Sequence, residues 1–158
     1  MTPGGKASTD HIVLTQPVLI TQISRKLTNQ CVNGSIVFVD HFSDHIYAYP
    51  MRDFTLDETL STKHGYEHFL AMHGIISKGY HADNGHFADK GFCDDCFNNG
   101  QVILFCGVGS HHQNGIAECR VKDLTFGAWT LLLHAKRMLL EFILLFFGPL
   151  FSNVMRTR

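Results

Sequence analysis

The chain is organised around the stretch His111-His112-Gln113-Asn114-Gly115-Ile116-Ala117-Glu118, taken together with Tyr80-His81-Ala82-Asp83-Asn84-Gly85. In the first stretch an acid follows a glycine-containing loop and opens a long helical pattern. In the second an acid ends a short strand pattern, and 34 residues separate it from the acid of the first stretch. Hard divalent cations prefer oxygen ligands, so two carboxylates placed in this way can share a metal ion.

A long helix is predicted from Gln113 onward, because small and apolar residues recur every three or four positions. They form one stripe that we expect to face the core: Ala117, Val121, Leu124, Ala128, Leu131, Ala135 and Leu139. Glu118 borders this stripe, where a core helix can present a carboxylate to a cleft. We also expect Trp129 in the core.

The residues before this helix alternate between strand and helix patterns. Thr55 to Glu58 has the spacing of a capping box, which predicts a helix that ends near His73, before Gly74. The expected strands and a second, short helix are Thr9–Leu14, the hairpin Ser35–Phe42 and His45–Pro50, a strand within Ile75–Asp83, the helix Phe87–Asn99 and the strand Gln101–Cys106. This order predicts an α/β domain with a mixed sheet of about five strands flanked by helices.

Composition indicates one globular domain of 158 residues, with 45% apolar and 17% charged residues. A formal net charge of −1 argues against a strongly basic nucleic-acid binder. The charge is uneven, because residues 1–119 hold 7 Lys or Arg against 12 Asp or Glu, whereas residues 120–158 hold 6 against 2. Five irregularly spaced cysteines do not indicate a disulfide framework, so we expect an intracellular protein.

The two ends of the chain are unlike its centre. Residues 1–8 are rich in Gly, Pro and Lys and are predicted to be disordered. The apolar run Met138–Phe151 is interrupted by Glu141 and Pro149 and is shorter than the roughly 20 residues that span a bilayer. We therefore expect no membrane segment.

Both opening stretches resemble the catalytic core of retrotransposon integrases, most of all that of copia-type elements. In those integrases the second acid is followed by Asn, and the third lies in a Gln-Asn-Gly-x-Ala-Glu run. The resemblance covers roughly Thr9 to Leu140. It implies a ribonuclease H-like fold, with a disordered segment at 1–8, the integrase core at 9–140 and an apolar tail at 141–158.

The resemblance also implies a set of catalytic and metal-binding acids: Asp10, Asp83 and Glu118. Asp40 is the alternative for the first acid, because it also ends a strand pattern. In the copia-type pattern, however, a Phe-Val-Asp-x-x-Ser string such as Phe38 to Ser43 belongs to the second strand of the hairpin. The first acid lies on the preceding strand, which favours Asp10.

The implied activity is DNA integration by phosphoryl transfer with two Mg²⁺ or Mn²⁺ ions. The implied partners are element and target DNA and further copies of the chain, in the nucleus when chromosomal DNA is the target. Residues expected to contact nucleic acid are His112, Gln113, Asn114, Arg120 and Lys122, and we expect a mobile loop at Gly107–His112. Cys119 departs from the pattern, in which Arg follows the third acid. A ribonuclease H-type nuclease and an inactive nucleic-acid-binding or dimerising relic remain the alternatives.

Overall fold

A computed structural model of the chain describes residues 2–19, 31–107 and 114–154. The chain divides into two compact units, Met1–Val121 and Lys122–Arg158. The described elements, in order, are β1 (Ala7–Leu19), β2 (Cys31–Asp40), β3 (Ile46–Met51), α1 (Leu56–Met72), β4 (Gly79–Ala82), a short 3-10 turn (His86–Ala88), α2 (Lys90–Asn98), β5 (Val102–Phe105) and α3 (Gly115–Val154).

The sheet has the strand order β3-β2-β1-β4-β5. The pairs β1–β2 and β2–β3 are antiparallel, whereas β4 is parallel to both β1 and β5. A short turn is enough to join antiparallel strands, but parallel strands need a crossover, which α1 and α2 provide. The predicted mixed sheet of about five strands is confirmed, as is the hairpin within it.

One face of the sheet carries the main hydrophobic core. Residues of a strand point alternately to opposite faces, so Tyr80 and Ala82 of β4 face the core and His81 does not. The buried cluster joins strand residues to α1 and α2, and the rings of Phe38 and Tyr66 stack with centroids 4.8 Å apart. By the same alternation, Ser8 and Asp10 of β1 lie on the other face.

The capping box at the start of α1 forms in part. The Thr55 hydroxyl accepts from the backbone N–H of Glu58 at 3.4 Å. The Glu58 carboxylate accepts from the backbone N–H groups of Arg52 and Asp53 at 2.8 and 2.7 Å. Glu58 therefore fixes the backbone that leads into α1. Gly74 follows the helix with a φ of 71°, as a helix-ending glycine does.

The start of β1 differs from the expectation. We predicted disorder over residues 1–8, whereas β1 begins at Ala7 and Gly4 is buried. The Gly4 N–H donates to Asp40 Oδ1 at 3.0 Å, and the Lys78 N–H donates to the Gly4 carbonyl at 2.8 Å. These two bonds order a segment whose Gly- and Pro-rich composition had indicated a loose tail.

Asp40, the alternative first acid, closes the turn between β2 and β3. Its side chain accepts from Gly4 N–H, from Ser43 N–H at 2.9 Å and from Ser43 Oγ at 2.7 Å. Burial by itself would raise the pKa of Asp40, but the bonds from Ser43 and Gly4 outweigh it and hold the pKa below its usual value. The carboxylate is thus committed to the turn.

Asp40→Asn should lower the free energy of unfolding by about 2 kcal/mol at pH 7, because the new amide places an N–H group against backbone donors. The depressed pKa makes the carboxylate stabilising above its unfolded pKa of about 3.9, and this contribution is lost as the pH falls through the lower folded value. Urea unfolding of both proteins should therefore converge in acid. A gap of the same size at every pH would contradict this.

Helix α3 confirms the predicted long helix but not its whole core-facing stripe. Ala117 is fully buried, and Val121 and Leu124 are partly buried. Every residue from Thr125 to Leu140 is exposed. The core position predicted for Trp129 is wrong, since its side chain is 61% exposed. Periodicity reveals an apolar face but not what covers it. Among the described helices, none has the length and hydropathy to cross a membrane.

Candidate active site

The first acid, Asp10, lies on β1, and the second, Asp83, directly follows the neighbouring parallel strand β4. Register between β1 and β4 pairs Ser8 with His81. Two residues further along each strand, Asp10 comes level with Asp83, on strands about 5 Å apart. Both residues are partly buried. Adjacent strands therefore bring the two acids to one edge.

Helix α3 is attached to β1 next to Asp10. Asn114, directly before the helix, is 2% exposed and donates from Nδ2 to the Thr9 carbonyl at 3.0 Å. Glu118 follows four residues later, about one helical turn along the same face. The third acid thus projects from the side of α3 that meets β1.

The charges of all three acids affect the pKa of one thiol, that of Cys106. Cys106 follows β5, is 4% exposed, and donates its backbone N–H to the Ala82 carbonyl at 3.0 Å. Burial raises the pKa of the Cys106 thiol, and the charges of Asp83, Asp10 and Glu118 raise it further. All three carboxylates therefore lie within electrostatic range of the Cys106 thiol.

His11 is held neutral beside the acids. Its ring stacks on Phe87 with centroids 4.4 Å apart and lies edge-on to His86 at 5.5 Å. Burial, reinforced by the charge of His86, lowers the pKa of His11 to about 4, although Asp83 opposes the shift. At neutral pH the ring is a packing group and adds no positive charge to the site.

Sequence reasoning missed two residues that shape this edge. The Asn84 side chain donates to the Cys106 carbonyl at 2.6 Å and so ties the end of β4 to the end of β5. The Gly85 N–H donates to Asp83 Oδ1 at 3.2 Å. Asn84 had a sequence signal, because it follows the second acid in the quoted stretch Tyr80–Gly85. Nothing in the sequence singled out Cys106.

The residues that were predicted to contact nucleic acid differ in their burial and in their contacts. His112 and Gln113 lie outside the described residues, as does the expected mobile loop apart from Gly107. Arg120 Nη2 lies 3.1 Å from Asp44 Oδ1, and Lys122 is exposed. Asn114 is buried against β1. Its position is that of a structural tie more than of a DNA contact.

Asn114→Ala should cost about 1–3 kcal/mol of unfolding free energy, because it leaves the Thr9 carbonyl buried without its donor. The matched control is Asn99→Ala, whose exposed amide donates to the Asp95 carbonyl at 2.9 Å. That variant should lose less than about 0.5 kcal/mol. Urea denaturation compares the two, and equal losses would mean that the tie to Thr9 is unimportant.

The donor chemistry at this edge suits a hard cation, since three partly buried carboxylates supply oxygen ligands. Two buried oxygens nearby, Thr9 Oγ1 and Asn114 Oδ1, also have no hydrogen-bond partner within the described ranges. The described side chains nevertheless include no set of three His, Cys, Asp or Glu close enough to hold a metal ion. The predicted acids share a region without forming a closed set of ligands.

Solved structures similar to this chain include two retroviral integrases. The HTLV-2 integrase catalytic core domain, in its dimeric form with magnesium, superposes with a TM-score of 0.52 at 17% identity, over 76% of this chain and 66% of that one. The simian T-cell lymphotropic virus intasome in complex with PP2A regulatory subunit B56 gamma superposes with a TM-score of 0.60 at 18% sequence identity. The match covers 81% of this chain and 42% of that one. No protein-family model and no curated protein sequence matches.

These likenesses show the fold. The chain has the mixed, five-stranded α/β architecture of an integrase catalytic core, which is ribonuclease H-like as predicted. It spans less than two thirds of the length of either matched chain.

Proposed function

We propose that the chain is the catalytic core of a retrotransposon integrase of the copia type, a polynucleotidyl transferase that joins element DNA ends to target DNA. One observation carries the proposal: the register of β1 and β4, continued by two residues, brings Asp10 level with Asp83, and the Asn114 bond to the Thr9 carbonyl holds the start of the helix that carries Glu118 against β1. The fold of integrase catalytic cores supports the same assignment. The copia-type strings around Asp83 and Glu118 supply the finer family.

In this proposal Asp10, Asp83 and Glu118 hold the divalent ions. Two Mg²⁺ or Mn²⁺ ions bound there would neutralise charge on the attacking and leaving oxygens of a phosphodiester. Asp10 and Asp83 are placed by adjacent strands and Glu118 by α3, so the three ligands come from three different elements.

Other residues of the chain keep this edge suitable for phosphoryl transfer. Burial and the charges of Asp83, Asp10 and Glu118 raise the pKa of the Cys106 thiol, so without a bound cation it is a neutral neighbour of the acids. Neutral His11 packs on Phe87 and adds no positive charge beside the acids. The Asn114 bond to Thr9 sets the start of the helix that carries Glu118.

A cavity beside the second acid has the size for part of a nucleic-acid strand. It measures about 510 Å³ and is lined by Phe54, Leu56, Thr59, Gly85, His86, Ala88 and Asp89. Small-molecule and nucleotide sites occupy roughly 300–1,000 Å³. Phe54 and His86, whose rings are 5.9 Å apart, offer aromatic surface on which a base could stack.

A strand-transfer assay tests the proposal. The full chain is incubated with a short duplex that mimics an element end, a labelled target duplex, and Mg²⁺, Mn²⁺ or Ca²⁺. Joined product with Mg²⁺ or Mn²⁺ is the expected result. Cleavage of an RNA–DNA hybrid without joining would assign the chain to the nuclease alternative. Binding of DNA without turnover in any metal would assign it to the relic.

A further inference from the structure

Two cysteines of α2 lie about one helical turn apart. Cys93 and Cys96 are separated by three positions within a continuous helix, Lys90–Asn98. With a rise of about 1.5 Å and 3.6 residues per turn, residues three apart have Cα atoms roughly 5 Å from each other. A disulfide requires a Cα–Cα distance of about 4.4–6.8 Å. The backbone of α2 therefore holds these two cysteines at a separation that a disulfide can bridge.

The two thiols are both free but differ in exposure. Cys93 is partly exposed, whereas Cys96 is fully buried in the main hydrophobic core. Burial raises the pKa of the Cys96 thiol to about 11; the charge of Lys63 opposes this shift, and the charge of Cys93 adds to it. The effect of Cys93 on Cys96 agrees with their helical spacing. A dissolved reagent can thus reach the first sulfur, and only the first sulfur can reach the second.

A Cys-x-x-Cys pair can also be half of a structural zinc site, which uses four Cys or His ligands. Within the described ranges, no three side chains of His, Cys, Asp or Glu lie close enough together to hold a metal ion. His64 of α1 is occupied in another way, since its Nε2 lies 3.1 Å from Asp95 Oδ1. The described surroundings therefore favour the chemistry of a dithiol over that of a metal site.

We propose that Cys93 and Cys96 form a dithiol site that reacts with low-molecular-weight disulfides, the chemical class of oxidised glutathione, and closes an intramolecular disulfide on α2. The Cys93 thiolate attacks one sulfur of the reagent, bonds to it and releases the other half as a thiolate. Cys96 loses its proton to water and attacks Cys93 Sγ, which displaces the second half. The released thiolates take up the two protons, so two cysteine thiols are oxidised and one reagent disulfide is reduced to two thiols.

The geometry makes this modification reversible. Side chains three residues apart on a helix have Cβ atoms about 5–6 Å from each other, beyond the roughly 3.5–4.5 Å of a relaxed disulfide. Closing the bond strains the helix, and a strained disulfide is easily reduced. The pair should be a dithiol under reducing conditions and a disulfide when small disulfides accumulate. The acids of the proposed active site lie on other elements, so this site does not rest on the proposed function.

Endoproteinase Asp-N detects the bond directly, because it cuts before Asp94 and before Asp95, between the two cysteines. The full chain is incubated with oxidised glutathione, quenched in acid, alkylated at its remaining thiols, unfolded and digested. Mass spectrometry should find fragment 89–93 joined to the fragment that begins at Asp95, and dithiothreitol should separate them. Neither DNA nor a metal ion is needed, so failure of the proposed function would leave this result unchanged.

Single substitutions identify the two sulfurs. Cys93→Ser and Cys96→Ser should both abolish the link between the fragments. Cys96→Ser should also leave glutathione on Cys93, with at least about 10-fold more of this mixed disulfide than in the wild type, because the second step is lost. Cys93 is only partly buried, so Cys93→Ser keeps the test valid if the core variant does not fold. Circular dichroism of each variant verifies folding.

Cys119→Ser is the matched control, because Cys119 is an exposed thiol outside α2. This variant should form the link to the same extent as the wild type. A link that survives in Cys96→Ser would mean that Cys93 pairs with another cysteine and would overturn the proposal. A wild-type chain that does not react, or that stops with glutathione on Cys93, would overturn it as well.

Discussion

Asp83→Asn is expected to reduce metal-dependent strand transfer by at least about 100-fold, since a bound metal ion contributes several kcal/mol of transition-state stabilisation. The substitution removes the charge that a cation requires but keeps an oxygen that can accept the Gly85 N–H, now bonded to Asp83 Oδ1 at 3.2 Å. The turn should therefore persist. Unfolding free energy should stay the same or rise slightly, because one of three mutually repelling charges is gone.

Asp94→Asn is the control for this change, because Asp94 is exposed on α2, away from the strand ends. Its strand transfer and its response to Mn²⁺ should match those of the wild type. Differential scanning fluorimetry with a Mn²⁺ titration adds a readout that does not require turnover. If Asp83→Asn retains the full Mn²⁺-induced stabilisation, Asp83 is not a metal ligand.

The largest loss of stability is expected for Lys63→Met. The Lys63 side chain is fully buried, and Nζ lies 2.7 Å from both Glu67 Oε1 and Asp95 Oδ2. Removing one member of a buried ion pair costs about 3–5 kcal/mol, because the remaining charges lose their partner. Glu67 Oε1 also accepts from the Tyr80 hydroxyl at 2.7 Å, so the damage should spread from α1 to β4.

His64→Gln is the matched comparison. His64 lies on the same helix and its Nε2 is 3.1 Å from Asp95 Oδ1, but its side chain is 52% exposed. The substitution should lower the free energy of unfolding by less than about 1 kcal/mol, because exposed ion pairs contribute little to stability. Urea unfolding measures both, and similar losses would mean that burial of Lys63 has little importance.

The pH dependence of the same pair has a defined sign. Burial by itself would lower the pKa of Lys63, but its bonds to Asp95 and Glu67 outweigh burial and raise the pKa. The contribution of Lys63 is therefore complete below its unfolded pKa of about 10.4 and is lost as the pH rises through the higher folded value. Lys63→Met should differ least from the wild type in strong alkali.

Strand patterns and caps were visible in the sequence because they depend on neighbouring residues. The hairpin around Ser43 and the Thr55 cap were predicted in place. Asp10 could be preferred to Asp40 only through the resemblance. The bonds from Gly4 and Ser43 that occupy Asp40 join segments that local pattern cannot pair.

Lys63 and Trp129 were beyond sequence reasoning for opposite reasons. Sequence patterns predict that a lysine on a helix is exposed to solvent. The burial of Lys63 depends on Glu67 of α1 and Asp95 of α2, which the fold brings next to it. A tryptophan in an apolar stripe reads as core, yet its exposure depends on which elements reach that helix. In both cases the deciding contact is long-range, whereas the periodic signal is local.

The hydrogen bond from Asn114 to the Thr9 carbonyl joins residues 105 positions apart in the chain. The β2–β3 turn closes between Val39 and Ile46, only seven positions apart, so closing the longer loop costs about 2 kcal/mol more in chain entropy. Docking of α3 on β1 should consequently come after the hairpin in the folding reaction. Substitutions at Asn114 should then accelerate unfolding while scarcely changing the folding rate. The edge that gathers the acids would be the last part of the domain to assemble and the first to open.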